Sequence, residues 1–270
     1  MDYISNNKVA DTFNRDMQLN PNANGEEYRL FGALLELVLS SIKDKKAPPL
    51  TFGHCHFGER FSGNNLYLAK EDRSICNFPD CILINDKFVL CIDHFQINAS
   101  NPRSGYEKGD ECRAFLSNHA ELVKQERIKD LELLLESEGI EYRTHNLAQS
   151  LLHTLKKKLP KISLYSEAAR QHIASGLDPD VVEADLSKTM EVWFLVEDVT
   201  PTTSFLSCFG NQKVLDALKS CERLAGLIYV HNPILTRPPN SIEEVAFIHN
   251  DDCAYEQLKA LAQGQTPNSH

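Results

Sequence analysis

Two aspartates, Asp80 and Asp93, stand on neighbouring apolar runs of this 270-residue chain. Asp80 follows Pro79 near the start of the run 78–84, and Asp93 is embedded in the run 88–97. Asn85-Asp86-Lys87 joins the runs with a polar connection of hairpin length, which predicts adjacent antiparallel strands. Carboxylates on adjacent strands can converge on one hard divalent cation without forcing the backbone. Such an ion takes carboxylate oxygens, acidifies its bound water and neutralises charge developing on a phosphate. A carboxylate inside an apolar strand needs a partner or a metal, because burying it alone is expensive. The plainer alternative is that Asp80 begins its strand at an exposed end while Asp93 pairs with a basic group.

Other constellations are weaker. His54-Cys55-His56 puts two imidazoles on one face of a strand, a feasible metal pair. No third or fourth ligand is evident in the sequence, which favours ordinary surface or core histidines. Glu59-Arg60 could reach the Asp80/Asp93 site or simply pair with each other. Glu197-Asp198 closes an apolar strand at its carboxyl end, where open α/β sheets often place sites and where strands also meet water. Pro179-Asp180 followed by Glu191 repeats the Pro-Asp spacing, but its setting is a helix start and Asp180 reads as a cap. Asp251-Asp252 is a helix N-terminal signal. The chain contains no phosphate-binding glycine loop, dinucleotide fingerprint or nucleophile elbow.

The elements that must hold these residues follow from periodicity. Tyr28, Phe31, Leu34, Leu35 and Val38 recur at helical spacing and predict a helix to about Ile42. Strands are expected at 50–57, 66–68, 78–84 and 88–97. A polar loop over 98–109 and a long helix over 110–137 come next. Helical patterns over 147–159 and 163–175 are divided by Pro160. Met190–Val196 is apolar enough for a buried central strand. Helix 212–221, strands 226–230 and 245–249, and helix 253–263 complete the series. The expected fold class is α/β: a mixed sheet with helices on both faces, entered through an antiparallel meander. Residues 1–24 read as a flexible arm, 25–263 as one domain with a helical insertion at about 140–188, and 264–270 as a frayed tail.

Composition narrows the function classes. Hydrophobic content of 42% and charged content of 24% are those of a globular protein. No basic flank with an apolar run opens the chain, and no run approaches the roughly 20 residues that span a bilayer. A soluble cytoplasmic protein with no membrane partner is expected. The eight cysteines are scattered without a C-x-x-C pair, which points to reduced core thiols. A net charge of −10 argues against coating nucleic acid by bulk attraction. Between Tyr142 and His172, however, six basic residues (Arg143, Lys156, Lys157, Lys158, Lys161, Arg170) face one acid, Glu167. If the chain meets DNA or RNA, this stretch is where it does so, although a solvated helix face explains the run as well.

A helix, a meander bearing Pro79-Asp80 and Asp93, then a helix and another strand resembles the core of the PD-(D/E)XK, restriction-endonuclease-like nucleases. The resemblance implies metal-dependent hydrolysis of phosphodiesters, with magnesium or manganese held by Asp80 and Asp93. Glu36 or Glu27 on the first helix would fill the extra acidic position that some members have. The family places a lysine two residues after the second acid, and here that residue is Phe95. Strand alternation puts Phe95 on the face of Asp93 and turns His94 and Gln96 away, so Gln96 is no substitute. Some members supply the lysine from elsewhere, and Lys108 is the nearest candidate in the loop. Cys91–Ile97 and Trp193–Thr200 also look like uncharacterised bacterial proteins with nuclease-like folds. The alternative expectation is a nuclease-like fold without catalysis, acting as a protein- or nucleic-acid-binding module.

Overall fold

Among the described residues, seven strands form one sheet in the order β1-β7-β6-β5-β4-β3-β2. The computed structural model describes residues 50–54, 60, 67–70, 75–97, 144–176, 179–198, 205–231 and 244–265. The strands are β1 (Leu50–Phe52), β2 (Tyr67–Lys70), β3 (Cys81–Ile84), β4 (Phe88–Ile97), β5 (Thr189–Asp198), β6 (Leu224–His231) and β7 (Glu244–His249). The helices are α1 (Thr144–Lys158), α2 (Ile162–Ala174), α3 (Pro179–Leu186), α4 (Phe205–Phe209), α5 (Gln212–Lys219) and α6 (Asp252–Ala262). The helices expected over 26–42 and 110–137, and the loop over 98–109, lie outside the described residues. No described helix is long and apolar enough to cross a membrane.

The expected hairpin is present. β2, β3 and β4 form an antiparallel meander, with Cys81 opposite Ile92 and Ile84 opposite Val89. Asn85 fixes the turn by accepting hydrogen bonds from the backbone N–H of Lys87 (2.9 Å) and Phe88 (2.8 Å) through Oδ1. This local side-chain bonding is why Asn favours turns. The chain then crosses through α1, α2 and α3 to β5, which lies parallel to β4. β6 lies parallel to β5, whereas β7 runs antiparallel to β6 and β1 lies parallel to β7. The carboxyl ends of β4, β5 and β6 therefore share one end of the sheet, and those of β1 and β7 share the other.

The apolar run around Trp193 forms the middle strand, as its near-continuous hydrophobicity predicts. One face carries Ile82, Val89, Cys91, Phe95, Val192, Phe194, Val196, Tyr229 and Ile248. It packs against Leu147, Leu151 and Leu155 of α1 and Tyr165 and Ala169 of α2, together with residues of α4, α5 and α6. The other face is buried too, with Leu83, Leu90, Ile92, Trp193, Leu195, Ile228 and Phe247 each almost fully covered. Among the described residues, the helices that pack on the sheet belong to the first face. Pro160 does not simply end a helix: a 3-10 turn over Leu159–Lys161 carries α1 directly into α2. The turn suits a residue with no N–H to give to a helical ladder.

Gly226 lies opposite Trp193, where the β5–β6 register shifts. A Cβ there would stand 2.5 Å from the Ile248 carbonyl oxygen and 2.6 Å from the indole ring. Backbone and a buried ring cannot both give way, so Gly226→Ala should destabilise the protein by about 2 kcal/mol. Urea denaturation should show a lower midpoint with an unchanged slope; an unmoved midpoint would contradict this packing.

Candidate functional site

Asp93 lies on the face of β4 that carries Cys91 and Phe95, and alternation aims its carboxylate beneath α1 and α2. The residue is only 4% exposed. Two side chains meet the same oxygen: Lys158 Nζ at 2.7 Å and the Tyr165 hydroxyl, donating at 3.1 Å. Lys158 is the last residue of α1 and Tyr165 lies in the first turns of α2, so the Pro160 turn is what brings both onto one carboxylate. Lys158 reaches the site from the rim, its side chain one-quarter exposed.

Asp80 stands one step beyond the Cys81–Ile92 pair, where continued register sets it against Asp93. Its Oδ2 accepts the backbone N–H of His94 at 2.5 Å. Burial pushes the Tyr165 phenol far above its ordinary pKa. The charge and hydrogen bond of Asp93, and then the charge of Asp80, push it the same way. Of the two carboxylates, Asp93 is the one that accepts the hydrogen bond of this hydroxyl. Nearby, burial raises the Cys91 thiol to about 12 against the opposing pull of Arg170, so this thiol is an apolar filler and not a nucleophile.

Phe95 occupies the position where the motif lysine would stand, and it packs edge-on against Phe194 with ring centroids 5.6 Å apart. His94 and Gln96 point to the opposite face, as alternation requires. There His94 Nε2 meets Glu197 Oε2 at 3.0 Å, and Gln96 donates to the same oxygen at 2.8 Å. Glu197 and Asp198 therefore do not form one acidic pair. Asp198 turns to the Asp93 face and accepts the Tyr229 hydroxyl at 2.7 Å.

Arg60 does not join the two aspartates. It forms a two-pronged pair with Glu191 at 2.7 and 2.9 Å, and its guanidinium lies over Phe88 and Trp193. Asp180 is exposed in the first turn of α3, inside the helix start and not at the cap position expected for it. Glu27, Glu36, Glu59 and Lys108 lie outside the described residues. Lys158 and Tyr165 are the members of the site that the motif reading misses. Helical spacing was the available signal. Leu147, Leu151, Leu155 and Lys158 share a stripe on α1, while Ile162, Tyr165, Ala169 and Ile173 share one on α2.

The donor set of two adjacent carboxylates suits a hard divalent cation such as magnesium or manganese better than a soft one. The Lys158 ammonium is paired with Asp93 at the rim of this donor set. Comparison with family models, with curated proteins and with solved structures finds no match.

Removing Lys158 would leave a buried carboxylate with one neutral donor. Lys158→Ala should therefore lower stability by about 2 kcal/mol, less than a fully buried pair because the ammonium touches water. Asp93→Asn in the same chain should recover part of this loss. A double-mutant cycle by urea denaturation should give a coupling of about 1 kcal/mol or more, whereas additivity within about 0.3 kcal/mol would dismiss the pair.

Proposed function

We propose that the chain is a divalent-metal-dependent phosphodiesterase acting on nucleic acid. Its core would be of the PD-(D/E)XK kind, with Lys158 replacing the lysine absent two residues after Asp93. The observation that carries this reading is the Lys158 ammonium 2.7 Å from Asp93, with Asp80 next to the Cys81–Ile92 pair on the neighbouring strand. The antiparallel meander followed by a helical crossover to a parallel β5 supports it as well.

Asp80 and Asp93 would hold magnesium or manganese, which when bound supplies an acidified water and neutralises charge on the phosphate. The residues of the chain account for the remainder. Asp93 is fixed by Tyr165 and Asp80 by the His94 N–H, so neither carboxylate has to be ordered when substrate arrives. Lys158 places a positive charge beside the acids, where it can stabilise a phosphate oxygen as charge builds on it. Lys156 and Lys157 are exposed at the end of α1, Lys161 on the turn that follows it, and Arg170 more than two turns farther along α2. They give an otherwise acidic chain a local surface for the phosphate backbone.

One observation favours a second reading, a nuclease-like fold that binds nucleic acid or protein without cutting. Lys158 and Tyr165 already compensate the buried Asp93 charge without any ion. Cleavage assays on single- and double-stranded DNA and RNA with manganese separate the two. The nuclease reading predicts cleavage that Asp80→Asn and Asp93→Asn abolish and that Lys158→Ala slows by about 10²-fold. A cut that survives both Asp variants would remove the assignment. Inactivity of the folded protein on every substrate would favour the binding module.

A further inference from the structure

At the other end of the sheet, the chain gathers a second set of metal-ligating side chains from segments nearly two hundred residues apart. His54 follows β1, while Asp251 and Cys253 open α6 just after β7. One donor atom from each of the three lies within 4.8 Å of the others. His54 Nδ1 is 3.2 Å from Asp251 Oδ2, and His249 Nδ1 approaches the same oxygen at 2.9 Å.

The backbone is arranged around this carboxylate. Gly53 adopts φ +85°, and a Cβ on it would fall 2.6 Å from Asp251 Oδ1. Only glycine therefore both accepts the turn and leaves room for the acid. The Gly53 N–H donates to Gln257 Oε1 at 2.8 Å, and the His54 N–H donates to Asp251 Oδ2 at 2.9 Å, so the end of β1 is tied to α6. Asp251 also caps α6 by accepting the Ala254 N–H through Oδ1 at 2.8 Å. Capping alone asks for one acceptor oxygen. It does not account for two imidazoles on the other oxygen and a thiol beside them.

We propose that His54, Asp251 and Cys253 bind one divalent transition-metal ion of the zinc class, with His249 orienting the Asp251 carboxylate. Nitrogen, oxygen and sulfur donors together suit a borderline-soft ion, unlike the all-carboxylate pair at Asp80 and Asp93. Three protein ligands leave a fourth position for water or for a group from another molecule. The His54 side chain is 79% exposed, so an ion can enter, and rotation of this ring can close the separations onto it. His249 plays the part that a hydrogen-bonding neighbour plays for a ligating carboxylate, setting its direction without binding the ion.

Cobalt(II) titration of the full chain tests the site, because a cobalt–thiolate bond gives a near-ultraviolet charge-transfer band. One equivalent should produce that band, and zinc should displace it. Cys253→Ser should abolish the band, and exposed His54→Ala should weaken cobalt binding at least about tenfold, with circular dichroism confirming the fold of each. His249→Ala should weaken binding by about 10- to 100-fold while keeping the band. Asp80→Asn and Asp93→Asn should leave the thiolate band unchanged, which keeps this outcome separate from the nuclease reading. No thiolate band at saturating cobalt, or one that persists in Cys253→Ser, would overturn the proposal.

Discussion

A carboxylate under two helices at the centre of an apolar face costs several kcal/mol unless its charge is answered, and the arrangement of the Asp93 face follows from that requirement. Lys158 and Tyr165 answer it from successive helices, which fixes how α1 and α2 lie over β4. The ion pair thus ties the last residue of α1 to the middle of β4. In the proposed nuclease the same ammonium would stand beside the phosphate.

The sheet keeps its polar groups on separate sides. Asp93 in the middle of β4 and Asp198 at the end of β5 lie on the helix-covered face, while His94, Gln96 and Glu197 form their own bonded cluster on the reverse. Period-2 alternation alone produces this partition. It accounts for why the His94 backbone can serve Asp80 while its ring serves Glu197. The Asp251 cluster sits at the opposite end because β7 and β1 run against β4, β5 and β6. A hard-ion reading at one end and a soft-donor reading at the other can therefore be tested independently.

Much of this was legible in the residues. The β3–β4 hairpin followed from two apolar runs and a polar link, and the central position of β5 followed from its unbroken hydrophobicity. The shared face of Asp93 and Phe95 needed only alternation. Lys158 was harder to see because a run of three lysines before a proline looks like a solvated helix end, and Lys156 and Lys157 are indeed exposed. The leucine stripe of the helix expected over 147–159 marks the third lysine as inward. The Asp251 cluster was not accessible from motifs, since His54 and Asp251 meet through parallel pairing of β1 with β7, a contact between distant parts of the chain. The short helix α4, with Phe205, Cys208 and Phe209 all buried, lacks the length that gives periodicity a clear signal.

Crystals soaked in manganese would show whether Asp80 and Asp93 direct their oxygens at one cation position. The expected result is an anomalous difference peak about 2 Å from an oxygen of each carboxylate, with the Lys158 ammonium drawn off Asp93. A map without that peak, in which Lys158 still lies 2.7 Å from Asp93, would contradict it and leave the buried pair as a structural feature alone.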